Sequence, residues 1–305
     1  MEIINRKKIY FAISLAVLAV GLISLILYGI HPSIDFTGGS QFQFSYSGQN
    51  KVEESTVQQV TQKYKANTIN IHYTDPHTLT IRTTPVSQAT KDKIEKDLDK
   101  AYPGLKETSF NTVGPTIGSE TEADAIKAVL IASIAITLYV AFAFREVSKP
   151  VASWKFGVVA IAALLHDLIV VIGIFSLLGD FFGVEVDPLF ITALLTIMGF
   201  SVHDTIVVFD RIRENLKKSS GVPFDRVVNN AVTETFNRSL NTSLTVIFVL
   251  VTLLLFGGAS IRWFVVALLV GIISGTYSSI FTASPLLVVW YNWDQKRKGK
   301  VKSKK

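Results

Sequence analysis

The sequence predicts an α-helical membrane protein with six transmembrane helices and one folded α+β domain outside the membrane, between helices 1 and 2. Three observations predict it. The 305 residues are 49% hydrophobic with a mean hydropathy of +0.39, more apolar than a soluble domain needs. Six stretches approach the length of about 20 apolar residues that a bilayer core requires. Between the first two lies a segment, 31–122, with the short alternating patterns of strands and amphipathic helices.

The six stretches are 9–30, 123–144, 156–178, 189–209, 241–257 and 263–291, the fifth short and the sixth long. The first has a basic start, as a cleavable leader would. Its apolar run is too long for one and no A-x-A site follows, so it reads as a retained span. The chain contains no cysteine, which excludes a disulfide framework and a thiolate metal site.

Charge sets the expected orientation. Arg6, Lys7 and Lys8 precede the first span; Arg145, Lys149 and Lys155 follow the second; Arg211, Arg213, Lys217, Lys218 and Arg226 follow the fourth. Seven of the 30 Lys and Arg lie after residue 295. The loop after the third span carries Asp180, Glu185 and Asp187 without a basic residue, and 31–122 holds 9 basic and 11 acidic residues. By the positive-inside rule both termini of this multi-pass chain face the cytoplasm. The expected organisation is therefore 1–30, cytoplasmic N-terminus and first span; 31–122, external domain; 123–294, the remaining spans, with a cytoplasmic interfacial segment at 210–237; and 295–305, a basic tail. The tail reads as an anchor facing anionic membrane lipid, not as a nucleic-acid site.

In the external segment Phe42, Phe44 and Tyr46 alternate; Val57, Val60 and Tyr64 recur at helical spacing; Ile69, Ile71 and Tyr73 alternate, as do Leu79 and Ile81 after the turn at Asp75-Pro76. Ile94, Leu98 and Ala101 mark a second helix, closed by Pro103-Gly104, and 106–112 is a last strand. The order β-α-β-β-α-β is that of a ferredoxin-like domain. His72 and His77 flank its turn without ligand-spaced neighbours and read as polar surface residues.

An ionisable residue at membrane depth costs a few kcal/mol and is a functional candidate. In the fourth span Thr192, Thr196, Gly199 and His203 form one stripe, with Asp204 one position round. The third carries His166-Asp167, and Arg238 opens the fifth, followed by Asn241, Thr242 and Thr245. Desolvation favours a neutral aspartate and a nearby arginine a charged one, so an aspartate whose arginine moves would bind and release a proton. The proton-coupling candidates are Asp204 and Arg238, then His203, Asp167 and His166; the alternative is that these groups only hydrogen-bond helix to helix. Gly271, Gly275, Ser279 and Ala283 on the sixth span form a packing stripe, and Phe224, Val227, Val228 and Ala231 suit a short interfacial helix.

Four stretches carry a family resemblance. Asp35-Phe36-Thr37-Gly38-Gly39, after the first span, resembles the D-F-x-G-G signature of the SecD/SecF protein-export family, of which Asp35, Phe36, Gly38 and Gly39 are the motif residues. Val113-Gly114-Pro115 is similar to that family's motif before the second span. The run Ser201-Val202-His203-Asp204-Thr205-Ile206-Val207-Val208-Phe209-Asp210-Arg211-Ile212-Arg213-Glu214-Asn215 resembles the SecF-type fourth-span motif, and 235–243 its fifth-span opening. The resemblance covers almost the whole chain. It departs from the pattern where His203 stands in a place often held by asparagine.

The resemblance implies a subunit of a proton-motive-force-driven complex, related to resistance-nodulation-division transporters. Such a subunit pairs with SecD, and the complex helps preproteins outward after the SecYEG channel and SecA. It implies Asp204 as proton site, Arg238 as its partner, no cofactor beyond the proton gradient, and no enzymatic activity. Two other readings stay open at this point: half of a proton-coupled small-molecule or ion transporter, and a passive scaffold. No P-loop, HExxH or GxSxG motif points to nucleotide or hydrolytic chemistry.

Overall fold

The computed structural model describes residues 2–46, 52–75, 78–144, 151–218 and 221–302. Of the residues singled out above, Pro76, His77, Arg145, Lys149 and the last three of the tail lie outside them. The chain divides into two compact units: residues 30–128 with 178–188, and residues 1–29, 129–177 and 189–305.

In the first unit a single helical turn, α2 (Ile34–Thr37), leads into β1 (Gly39–Tyr46), α3 (Glu54–Lys63), β2 (Thr68–Asp75), β3 (Thr78–Thr83), α4 (Gln88–Ala101) and β4 (Leu105–Val113). The sheet order is β2-β3-β1-β4, with every neighbouring pair antiparallel. β1 and β2 thus run parallel with β3 between them, the split βαβ arrangement expected from the alternation. Phe42, Phe44, Leu79 and Ile81 from the strands meet Val57 of α3 and Ile94 and Leu98 of α4 in one buried core. Ile69 departs from the expected core face. The register shifts between Thr68 and Asn70, and this irregularity leaves Ile69 56% exposed.

The two motif glycines are required by backbone geometry. Gly38 closes α2 with φ +68° and Gly39 follows at +135°. A Cβ on Gly38 would stand 2.9 Å from Pro115 Cα, and one on Gly39 would stand 2.8 Å from Thr83 O. The D-F-x-G-G turn therefore packs directly on Gly114-Pro115, where α5 (Pro115–Ala143) begins. Phe36 is buried beneath it, and Asp35 accepts from Ser33 Oγ at 3.0 Å. The motif builds a corner.

The second unit contains α1 (Lys7–Leu27), most of α5, α6 (Ser153–Phe182), α7 (Pro188–Lys218), α8 (Phe224–Phe256), α9 (Arg262–Ser278) and α10 (Ser284–Lys302). Among the described residues six helical segments are long and apolar enough to cross a membrane, α9 and α10 forming one of them through a π-helical turn at Ser279–Ala283. Small residues set the close approaches. Gly21 of α1 lies on Gly173 of α6, and Ser24 donates to Ser176 at 2.9 Å one turn away. A Cβ on Gly271 would overlap the Ile197 side chain, and one on Gly275 would stand 3.1 Å from Ser201 Cβ, so the α9 stripe is where α7 packs.

Two expectations are corrected. Among the described residues of 210–237 there is no separate interfacial helix: α7 continues to Lys218 and α8 starts at Phe224. Phe224, Val227, Val228 and Ala231 are buried on α8 instead, with Phe224 against Tyr291. The connection between α6 and α7 also groups with the α+β unit and not with the helices. Its Val186 bridges Pro32, donating to His31 O at 2.7 Å and accepting from Ser33 N at 2.8 Å.

Candidate functional site

The buried face of α7 is written by Ala193, Ile197, Ser201, Asp204, Thr205, Val208 and Ile212, spaced three and four apart. Helical rotation then decides which predicted residues go inside. Asp204 is 3% exposed, whereas Thr192, Thr196, Gly199 and His203 lie on the outer surface of the helix. The stripe and the aspartate therefore do not form one seam. Pro188 to Asp204 is about 24 Å of helix, which lies within a hydrocarbon core about 30 Å thick when α7 starts at its edge.

Asp204 Oδ2 is buried with no partner at good hydrogen-bonding geometry; the Ser239 hydroxyl on α8, likewise without a well-aligned partner, is the polar side chain close enough to act on the carboxyl as a hydrogen-bond donor. The charged or titratable groups that interact with this carboxyl are His203 and Arg238. Arg238 itself is exposed on α8, as are Asn241, Thr242 and Thr245. Aspartate and arginine thus belong to facing stretches of two helices without an ion pair between them.

Asp167 is the opposite case. It has no exposed surface, and four groups converge on its carboxylate: Ser201 Oγ of α7 at 2.6 Å, Ser278 Oγ at 2.7 Å and Ser274 Oγ at 2.8 Å of α9, and His166 Nδ1 at 3.0 Å. An ionised carboxylate offers about four lone-pair sites, so this set fills it. The carboxylate ties α6 to α7 and α9. The remaining nitrogen of His166, Nε2, is buried and unpartnered.

Between the two acids, Thr205 Oγ1 pairs with Ser279 Oγ at 2.8 Å, and both hydroxyls point at Ser201 O, from 3.1 and 3.3 Å. No side-chain hydrogen bond links this pair of hydroxyls to Asp204 among the described residues, whereas Ser201 Oγ donates to Asp167. Sequence reasoning missed these serines. Ser274 and Ser278 do carry a signal, an i, i+4 pair in an otherwise apolar helix, but nothing local points it at Asp167. Among the described residues no group of three or more His, Asp or Glu is placed to hold a metal ion.

Comparison with known proteins agrees with this architecture. Residues 93–293 match the family described as protein export membrane protein SecD/SecF, C-terminal, and 23–49 match the SecD/SecF GG motif. The protein translocase subunit SecF of Thermobaculum terrenum is 44% identical, with 96% of this chain and 95% of that one aligned. The translocase subunit SecDF of Bacillus subtilis is 35% identical over 96% of this chain but only 38% of its own length. The crystal structure of SecDF from Thermus thermophilus superposes with a TM-score of 0.82 at 34% identity, over 96% of this chain and 39% of that one. With helices, α+β domain and motifs all matched along one continuous alignment, the chain belongs to the SecD/SecF family of protein export membrane proteins.

Proposed function

We propose that the chain is the SecF-type half of a protein-export accessory complex in the bacterial cytoplasmic membrane, and that Asp204 couples a proton gradient to its work. The α+β unit is then external and both termini are cytoplasmic, as the loop charges favour. The partner is a SecD-type chain: the Bacillus relative carries both names in one polypeptide and is matched by this chain over 38% of its length. The pair works beside the SecYEG channel and SecA on emerging preproteins.

The observation that carries the coupling role is the unpartnered oxygen of Asp204 in a water-shielded turn. Asp167 has both carboxyl oxygens engaged by hydrogen bonds from three serines and His166. Asp204 has an open oxygen, a neighbouring serine free to reorient, and a cation on the adjacent helix whose approach would favour the charged form. Each proton crossing the membrane releases roughly 2.3 kcal/mol per 100 mV, available to any motion that alternates these states. The test is proton-gradient-dependent preprotein translocation in vesicles carrying Asp204→Asn with its partner. Assembly is expected to persist and the gradient-dependent stimulation to disappear. Stimulation unchanged in assembled Asp204→Asn complexes rejects the coupling role.

A further inference from the structure

Away from the membrane site, one guanidinium holds three segments of the α+β unit together. Arg82 on β3 is 7% exposed. Its Nη1 donates to Glu185 Oε1 at 2.8 Å and to Pro32 O at 3.1 Å, and its Nη2 donates to Thr37 Oγ1 at 3.0 Å. Glu185 belongs to the five-residue connection 183–187 between α6 and α7, Pro32 to the chain leaving α1, and Thr37 to the D-F-x-G-G turn. The same connection is fixed through its backbone at Val186, with Val184 and Val186 buried. Gly183, at φ +64°, faces the ring of His72, where a Cβ would stand 2.9 Å from Cδ2. The other charged groups acting on the pair are Asp35, Asp187 and His72.

We infer that Arg82 and Glu185 form a coupling latch, through which displacement of the Asp204 helix is delivered to the external domain. This rests on the coupling role proposed for Asp204. The reason is mechanical. α7 starts at Pro188, immediately after the latched connection, and runs unbroken past Asp204 to Lys218. A helix transmits tilt, rotation and axial shift along its length, so a rearrangement around Asp204 moves residues 183–187. Those residues cannot move independently of β3 and the D-F-x-G-G turn while the guanidinium and the two backbone hydrogen bonds hold. The latched connection 183–187 continues directly into α7, the helix that carries the proton site. Removing one partner of a buried, hydrogen-bonded ion pair leaves the other uncompensated, so either single change should open it.

The experiment uses the full chain with its partner in translocation-competent vesicles. Arg82→Glu and Glu185→Arg are each expected to lower gradient-dependent stimulation about tenfold or more, and the charge-swapped double variant to restore most of it. The carboxyl infrared signal that Asp204→Asn abolishes should remain in both single variants, which a general folding defect would not permit. The chain has no cysteine, so a Pro32→Cys, Val186→Cys pair supplies a second handle that spares the ion pair. Oxidising it should leave stimulation intact in the parent and recover stimulation in Arg82→Glu, with reduction cancelling the recovery. Full stimulation in the single variants, or loss on oxidising the thiol pair to the disulfide in the parent, overturns the latch. Single variants that fail to fold, and for which neither charge swap nor disulfide restores stimulation, overturn it equally. Stimulation surviving in Asp204→Asn would instead reject the coupling role and leave the contact as a fold-stabilising one.

Discussion

Ser278 donates to Asp167 Oδ2 at 2.7 Å from the last residue of α9, directly before the π-helical turn of the sixth span. With Ser201 and Ser274 it makes the carboxylate a junction of α6, α7 and α9. The junction predicts a stability effect. Asp167→Asn puts an amide NH2 where two hydroxyls now donate, leaving buried donors facing one another, and should cost roughly 1–3 kcal/mol. Ser278→Ala, which removes one neutral donor, should cost about 0.5–2 kcal/mol. Denaturation in detergent micelles checks both, and an Asp167→Asn chain as stable as the parent would show that the cage holds nothing.

Much of this was legible in the sequence, and the failures have specific causes. Hydropathy gave the six spans because a bilayer tolerates little else, and strand alternation gave the β-α-β-β-α-β order. Spacing alone did not tell a lying helix from the continuation of a spanning one: Phe224, Val227, Val228 and Ala231 suit either, and burial against Tyr291 decides. The affiliation of residues 178–188 with the α+β unit rests on the Val186 backbone bonds and the Arg82 contact, which have no local pattern. Asp204 was found as an intramembrane charge, but its difference from Asp167 required the serines contributed by distant helices.

The packing of α9 on α7 gives a second prediction. Because a Cβ on Gly271 overlaps Ile197, which is fully buried, Gly271→Ala should destabilise the helical unit by roughly 1–3 kcal/mol. Ile197→Ala removes the obstructing atoms, so the double variant should be less destabilised than the sum of the single changes. Strict additivity in a double-mutant cycle would contradict the contact.

The latch region gives a pH prediction. Burial, outweighing Arg82, raises the Glu185 carboxyl above its ordinary value of 4.5, with Asp35 and Asp187 adding to the rise. An acid raised on folding binds more protons folded than unfolded, so its contribution falls as pH climbs from 4.5 through the raised value. Burial, then Arg82, lowers the His72 imidazole from 6.5, and its contribution falls as pH drops below 6.5. The two slopes oppose each other in the mildly acidic range. Hydrogen exchange of β2 and β3 amides in the full chain should become pH-sensitive in opposite directions in Glu185→Gln and His72→Gln. The first should lose protection as pH falls below 6.5, and the second as pH rises above 4.5. Parallel profiles in the two variants would contradict the assignment.

The outer faces of α7 and α8 lead to the last prediction. Thr196 and His203 on one helix, and Arg238, Asn241 and Thr242 on the next, are exposed on this chain. On a lipid-facing surface at the start of the fifth span, an arginine beside asparagine and threonine carries a desolvation cost. A partner helix that supplies polar contacts removes that cost, and the proposed SecD-type chain is such a partner. A cysteine at Thr196 or at Thr242, introduced into a chain without native thiols, reports the difference directly. Expressed alone, both positions should react readily with a membrane-permeant maleimide. Co-expressed with the partner, labelling should fall several-fold and bifunctional reagents should link the two chains. Because Asp204 is buried while Arg238 is exposed, closing this face would also fix the position of the cation relative to the acid. Labelling at Thr196 that is indifferent to the partner would place the polar face against lipid and remove the partner as the agent that moves Arg238.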